Sequence, residues 1–317
     1  TISFAFSALT GGDDSIDGGE GSDEIGGDVY IEVDDKGGFT FADSTLIGGD
    51  DTIDGGTGSD DIGGDLFIDA NDFFTKFINS TLIGGDDVIT NGTGDDNVGG
   101  DVYIEDGGVI TFTLSTLIGG NDTIDNIDGG DEIAGDLFIE SGDTLTITTG
   151  TFIGGNDVIL TGALATGFQN IAGDAWVEDL TDLTINGFKF GSFNPSTGEV
   201  EVGNDLIAGG DFGNDLFGDL FFESVNAPIL TNLTLIGGND TITGGDGTDL
   251  LVGDFAFLID DGNDFGDANL VSLSDATQFA LAGGKDFLDG VKGDDTYNGG
   301  GGFDTFVRGN IISHPFG

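Results

Sequence analysis

Cysteine and methionine are absent from this 317-residue chain, proline occurs three times, histidine once, and lysine and arginine together six times. Each gap removes a class of chemistry. Without cysteine there is no disulfide scaffold and no thiolate metal site. The lone His314 leaves no Ser-His-Asp arrangement and no histidine-based zinc site. No GxSxG elbow or Walker phosphate loop occurs. No stretch reaches the ~20 apolar residues that a membrane helix needs. A formal charge of -54 excludes nucleic acid and anionic membrane surfaces as partners.

A charge of that size usually accompanies disorder. Yet 37% of the residues are hydrophobic and 27 are Phe, far too much apolar matter for a solvated acidic tail. The two facts reconcile if cations neutralise the acids as the chain folds. Paired carboxylates occur everywhere alike, whereas a catalytic pair should be unique, so the chain reads as a non-enzyme.

What the chain has in plenty is glycine and aspartate in register. The phrase Gly11-Gly12-Asp13-Asp14 returns at 48, 84, 119, 154, 202 (there as Gly203-Asn204-Asp205), 237 and 283, in steps of 37, 36, 35, 35, 48, 35 and 46 residues. A period in this range marks a stacked repeat architecture. Few windows keep helical periodicity, while short alternating runs bounded by Gly are everywhere, so the expected fold is all-β. The expected organisation is one solenoid over 1–317. Repeats start near 11, 48, 84, 119, 154, 202, 237 and 283, with loop insertions at 179–200 and 260–279. Thr1–Thr10 matches the end of a repeat, and neither an initiator Met nor a signal peptide opens the chain, so it reads as a piece that begins mid-repeat.

Within each repeat, two Gly-x-Asp-x-Ile phrases stand about nine residues apart, as in Gly49–Ile53 and Gly58–Ile62. Gly reaches the positive φ of a tight bend, Asp aims a carboxylate into the concavity, and Ile points the opposite way into a core. Two columns of candidate ligands result. The first is Asp14, Asp51, Asp87, Asp122, Asp157, Asp205, Asp240 and Asp286. The second is Asp23, Asp60, Asp96, Asp131, Asp215, Asp249 and Asp295, with Asp304 as a further terminal member. Carboxylates one strand spacing apart repel, and oxygen-only sites of flexible geometry suit Ca²⁺ better than Mg²⁺. In the fifth repeat Gln169 stands where Asp should be, so that site is expected to be weak or empty. A third acidic column, Asp28, Asp65, Asp101, Asp136, Asp174, Asp219 and Asp254, either completes an ion site or caps the following strand.

That strand alternates. Val29, Leu66, Val102, Leu137, Ala175, Leu220 and Phe255 with Ile31, Ile68, Ile104, Ile139, Val177, Phe222 and Phe257 form the expected core face. Tyr30, Phe67, Tyr103, Phe138, Trp176 and Phe221 face the other way, either stacked in a second packed layer or exposed as a stripe for self-association. A Thr column, Thr45, Thr81, Thr116, Thr151 and Thr234, is either a hydrogen-bonded ladder or an ice-facing row.

Gly55–Ile62 (GGTGSDDI), Gly18–Ile25, Gly244–Leu251 and Gly299–Phe306 resemble the GGxGxDxUx nonapeptide of the RTX, or hemolysin-type, calcium-binding repeat family. The resemblance covers about half of each repeat, along nearly the whole chain. It implies a right-handed parallel β-roll with Ca²⁺ held between turns of neighbouring coils and export through a type I system. Rolls built of successive nonapeptides have ~18 residues per coil. Here the binding stretches alternate with non-binding ones, so a coil of ~36 residues is expected, each turn stacking on the next. The functional expectation is a secreted, calcium-loaded structural repeat protein at the cell surface or outside it: a surface-layer, filament or adhesin segment, able to assemble end to end. The alternative is the folding and secretion module of an exported enzyme such as a lipase or protease, and an ice-binding solenoid stands behind both.

Overall fold

The computed structural model describes residues 2–33, 37–70, 74–105, 108–140, 143–162, 167–193, 200–201 and 203–259. Beyond these it describes the segments 269–270, 277–282, 286–289, 296–298, 305–307 and 310–311. The chain winds into a parallel β-solenoid with no helix among the described residues. Four sheets run along it. The second repeat supplies one coil: Thr52–Asp54 to the first sheet, Asp61–Gly63 to the second, Leu66–Asp69 to the third, and both Phe74–Ile78 and Thr81–Ile83 to the fourth. Ile53 lies between Ile16 and Ile89, and Phe67 between Tyr30 and Tyr103, so equivalent residues of successive repeats stack directly. The coil is therefore the long one, of about 36 residues.

The coil shrinks at the C-terminal end. Thr305–Val307 pairs with Phe287–Asp289, only 18 residues earlier, and so rejoins the first sheet directly after the second. Where coils are longer, the extra chain leaves the wall of the solenoid. Asp182–Asn186 and Lys189–Phe190 keep their register in the fourth sheet, and the added residues form an antiparallel pair, Ser192–Phe193 with Val200–Glu201. The expected insertion at 179–200 is thus narrower than its sequence span. Most of 260–279 lies outside the described residues; within it, Asn269–Leu270 pairs antiparallel with the end of Phe255–Ile259.

Period-2 alternation sorts the side chains into two separate cores. A smaller lobe, between the first and second sheets, holds Ile53, Ile89, Ile124 and Ile159 against Ile62, Val98, Ile133 and Ile171, all at most 1% exposed. A larger lobe, between the third and fourth sheets, holds the expected Leu66, Val102 and Leu137 rows with Phe77, Ile110, Leu145 and Phe190. Burying each such side chain contributes roughly 1.5–3 kcal/mol. β-Branched and aromatic residues suit these pleated walls.

One corner of the coil runs against local preference. Phe6, Asp43, Asn79, Leu114 and Thr149 take φ near +50° between the two strands that their coils give the fourth sheet, and Asn232 does so within the single strand Ile229–Ile236. Gly187 fills the equivalent place in one coil. Asn79 Nδ2 donates to Asp43 Oδ1 at 2.7 Å, and Asn232 Nδ2 to Asn186 Oδ1 at 2.9 Å, so the amide residues gain a partner there. The Thr column does stack, from Thr45 through Thr81 and Thr116 to Thr151, but Lys189 interrupts it before Thr234.

Candidate metal centres in the waist and the second turn

The two lobes meet at a waist made of the first and third acidic columns. Each first-column Asp accepts a hydrogen bond on Oδ1 from the backbone N–H of its counterpart one coil earlier: Asp14 to Asp51 at 2.6 Å, Asp51 to Asp87 at 2.6 Å, Asp87 to Asp122 at 2.7 Å and Asp122 to Asp157 at 2.7 Å. The ladder continues through Asp205, Asp240 and Asp286. Third-column carboxylates reach across to the next repeat's glycine pair. The N–H of Gly85 donates to Asp65 Oδ2, that of Gly120 to Asp101 Oδ2 and that of Gly155 to Asp136 Oδ2, each at 3.0 Å.

Two glycine columns make this approach possible. A methyl group on Gly48 would overlap the Asp65 carboxylate, and one on Gly84 that of Asp101. A methyl group on Gly64 or Gly100 would strike the next coil's glycine carbonyl and the Oδ2 of Asp87 or Asp122. Glycine serves here as space, since these residues are absent from the set with positive φ.

The consequence is a file of buried carboxylates. Asp65, Asp87, Asp101, Asp122, Asp136 and Asp157 are at most 2% exposed. One oxygen of each is hydrogen-bonded. The other, Oδ2 of Asp87, Asp122 and Asp157 and Oδ1 of Asp65, Asp101 and Asp136, is buried with no partner. The same residues fall into six groups that could each hold an ion, among them Asp51-Asp65-Asp87, Asp87-Asp101-Asp122 and Asp122-Asp136-Asp157, each residue offering one carboxylate oxygen within 4.8 Å of the others. The third column therefore completes the clusters, an outcome the sequence left open. It belongs with the first column, and none of its members was among the expected ligands.

Electrostatically the file is unbalanced. Two carboxylates at that separation repel by about 3–4 kcal/mol at an effective dielectric of about 20. No basic side chain is at hand among the described residues: Lys76 lies over the Phe74 ring, and Lys189 is on the fourth sheet. Loss of hydration, reinforced by the neighbouring charges, pushes the Asp51 carboxyl up to about 6, Asp65 to about 8 and Asp87 to about 9. The same causes raise Asp101, Asp122, Asp136, Asp157, Asp205, Asp219 and Asp240 well above the ordinary carboxylate range. Such a row holds protons or cations. Three oxygens within 4.8 Å fit an ion bound at the 2.3–2.6 Å of Ca²⁺–O contacts.

The second column lies in a different setting. Asp23 N–H donates to Asp60 Oδ1 at 2.9 Å, and Asp60 to Asp96 and Asp96 to Asp131 at 2.8 Å. Each coil brings one carboxylate to a turn shaped by glycines of positive φ, Gly56 and Gly58 in the coil of Asp60. Asp60, Asp96 and Asp131 are fully buried, and their Oδ2 atoms have no partner. Burial raises Asp60 and pushes Asp96 up to about 7 and Asp131 to about 6.

Register corrects one expected member here. Asn214 aligns with Gln169 and donates its N–H to Asp249 Oδ1 at 3.0 Å, while Asp215 aligns with Asn170 one place along. In the Asn-Asp pair the acid is the more conspicuous residue, but the position belongs to the amide. The spacing back from Leu216, which stacks on Ile171, selects Asn214. Asp295 and Asp304 lie outside the described residues, and Thr305–Val307, next to Asp304, joins the first sheet rather than the second.

The aromatic column is internal. Phe67, Tyr103, Phe138, Trp176 and Phe221 are fully buried, and only Tyr30 of the first coil is exposed. Tyr30–Phe67, Phe67–Tyr103 and Tyr103–Phe138 stack at centroid distances of 5.3, 4.9 and 5.0 Å. They pack on Ala134 and Ala172 from the outward side of the second sheet, forming a third apolar cluster. The small residues of that sheet leave a cleft that the rings fill. From Phe67 to Phe221 the column is therefore the packed layer of the two alternatives, not an exposed stripe.

Family models, curated proteins and solved structures were compared with the chain, and none matches.

Proposed function

We propose that this is a secreted structural repeat protein whose solenoid is held together by calcium ions in the waist, and which folds when it meets calcium outside the cell. The observation that carries this reading is the file of buried aspartates, each with an unpartnered carboxylate oxygen and grouped within reach of one ion, with no basic side chain to balance it among the described residues. Asp51-Asp65-Asp87 and its successors are the proposed first row of ion sites, and the turns of Asp23, Asp60, Asp96, Asp131 and Asp249 the second. The likeness of the glycine-aspartate phrases to hemolysin-type repeats supports calcium over other hard cations and export over residence in the cytosol. Ion binding then becomes folding energy, because a ligand that binds only the native state stabilises it by mass action. At cytosolic calcium the chain stays an expanded acidic coil, and outside the cell it stiffens into a rod.

A rod of this kind suits a surface layer, a filament or an adhesin stalk, where length and rigidity are the product. The open strand edges at the ends of a solenoid offer end-to-end assembly. Circular dichroism during a calcium titration with EDTA reversal tests the reading. A cooperative gain of β signal that EDTA undoes is expected. Strand content indifferent to the chelator would end it.

A further inference from the structure

The second-turn row changes character in the middle of the rod. In the coil of Asn214 the side-chain Nδ2 lies among four oxygens. They are the carbonyls of Gly210 at 3.0 Å, Phe212 at 2.8 Å and Gly244 of the next coil at 3.0 Å, and Asp249 Oδ1 at 2.9 Å. An amide NH₂ has two protons to give, so four acceptors around it are more than hydrogen bonding requires. The surroundings also fix its orientation, because a carbonyl oxygen in that place would face only other oxygens. A closed cage of carbonyls plus one carboxylate is the shell of a hard cation.

In the coil of Gln169 the same substitution recurs. Gln169 Nε2 donates to the carbonyls of Gly129 in the preceding coil and Gly167 in its own, while Oε1 accepts from Asn126 Nδ2. Coils that carry Asp instead have the complementary feature. Asp60, Asp96 and Asp131 are fully buried, and each has an Oδ2 without a partner. In the coil of Asp60 that oxygen lies beside Gly55, which also faces the Asn91 carbonyl of the next coil. Gly209 faces Asn214 and the Gly244 carbonyl in the same manner. The cage is retained and its centre differs.

The geometry points to a second-turn ion row with two built-in interruptions: the side-chain amides of Asn214 and Gln169 occupy the places of two cations, as covalently tethered stand-ins. This rests on the calcium reading of the Asp-bearing turns and extends it. Two inter-coil joints in the middle of the rod then need no ion at the second turn, while those on either side do. They fall in coils longer than the ordinary ones, as the pairing of Asn170 with Glu132 and of Asp215 with Asn170 shows. A tethered amide keeps such coils in register at calcium levels that leave the Asp turns open.

The test is ion stoichiometry on the full chain, by equilibrium dialysis against ⁴⁵Ca²⁺. Asn214→Asp is expected to raise the bound count by one, and the reverse change, Asp60→Asn, to lower it by one. An unchanged count in Asn214→Asp, with a wild type that binds many ions, would overturn the stand-in and leave the calcium reading intact. A wild type that binds none would overturn both. Should Asn214→Asp fail to fold, anomalous scattering from a calcium-loaded crystal of the wild type decides. Peaks are expected at the turns of Asp60 and Asp96 and none at Asn214 or Gln169; a peak beside Asn214 Nδ2 sinks the inference.

Discussion

The waist and the second turn are built from the same phrase, yet they bury charge in different ways. In the waist each coil brings two aspartates together, one from each side of a pinched cross-section, and every oxygen triplet spans adjacent coils. In the second turn a coil brings one carboxylate or, at Gln169 and Asn214, one amide, and around Asn214 the other neighbours include the backbone carbonyls of Gly210, Phe212 and Gly244. The difference shows in what the row tolerates. A single carboxylate can be exchanged for an amide, as at Gln169 and Asn214, with the shell still satisfied. The waist has no such exchange between Asp51 and Asp240, where an amide in a triplet would take one negative charge from the ion while the two remaining carboxylates still needed it. Redundant acid makes the waist stronger when loaded and worse when empty.

The largest expected effect separates the loaded from the empty state by pH. A carboxyl that titrates higher in the folded chain keeps a proton that the unfolded chain has already released. Ion-free protein is therefore most stable below about pH 4. It loses stability as pH rises and levels off only above the folded values, near 8 for Asp65 and 9 for Asp87. Every tenfold difference in proton affinity between folded and unfolded chain is worth about 1.4 kcal/mol. The sum over the waist is therefore expected to unfold the chelated protein near neutral pH. Urea midpoints in EDTA from pH 4 to 9 check this, beside the same series in saturating calcium. A flat profile in EDTA would mean that the waist is not charged as described.

Next in size is Gly100→Ala. Its methyl group would overlap the Gly135 carbonyl and Asp122 Oδ2, both held by the stacking of the next coil. A loss of at least about 4 kcal/mol is expected. Gly12→Ala is the control, since nothing lies within reach of its added carbon. Comparable losses from the two variants would show that the close approach in the waist is not the cause, since the effect of Gly→Ala on the unfolded chain is a gain.

The paired change Asp122→Asn and Asp96→Asn then sets one row against the other. Asp122 belongs to two of the oxygen triplets and Asp96 to none of those named. In calcium, Asp122→Asn is expected to cost about 3–5 kcal/mol and Asp96→Asn less than half of that. In EDTA at about pH 5 to 6, below the range where the chelated chain is expected to unfold, the sign reverses for Asp122→Asn, which then stabilises because an amide stays neutral in the waist without taking up a proton. Equal costs for the two in calcium would erase the distinction drawn between the rows.

Much of this was legible beforehand, and the reason is periodicity. Stacking copies one coil's environment into the next, so the 35-to-37-residue spacing set the register, the Ile rows and the first aspartate ladder. What was not legible depends on how the coil folds across itself. Nothing in the spacing of Asp65 and Asp87 shows that the cross-section pinches to bring them together. Nor does the strand Leu66–Asp69 reveal that Phe67 lies in a cleft rather than on a surface. A signal for both existed in the small residues Gly63 and Gly64, whose successors Gly99, Gly100, Ala134 and Gly135 stay small. A column that stays small in successive coils marks a close approach. The Gly64 column keeps to it through Gly173, Gly218 and Gly253, against a carboxylate, and the Gly63 column only as far as Ala172, against a ring, before Phe217 and Val252. Asn214 escapes a reading that follows the acids, because only the register back from Leu216 singles it out.

The smallest expected effect lies far from either row, at the left-handed corner of the fourth sheet. Leu114 has φ of 53° and is exposed, so its side chain gains little there and bears the steric cost of that conformation. Gly187 occupies the same corner in another coil without that cost. For a residue with a Cβ the left-handed region is worse by roughly 1–2 kcal/mol, partly offset by the greater freedom of glycine when unfolded. Leu114→Gly is therefore expected to stabilise by about 0.5–1 kcal/mol in calcium and in EDTA at pH 4 alike. Leu114→Asn should do so by a similar amount, since Asn79 and Asn232 already take this conformation. Urea midpoints under both conditions decide. A gain confined to the calcium-loaded protein would mean that the corner and the waist are coupled through the larger core, and that the two regions compared above are not independent of the wall that joins them.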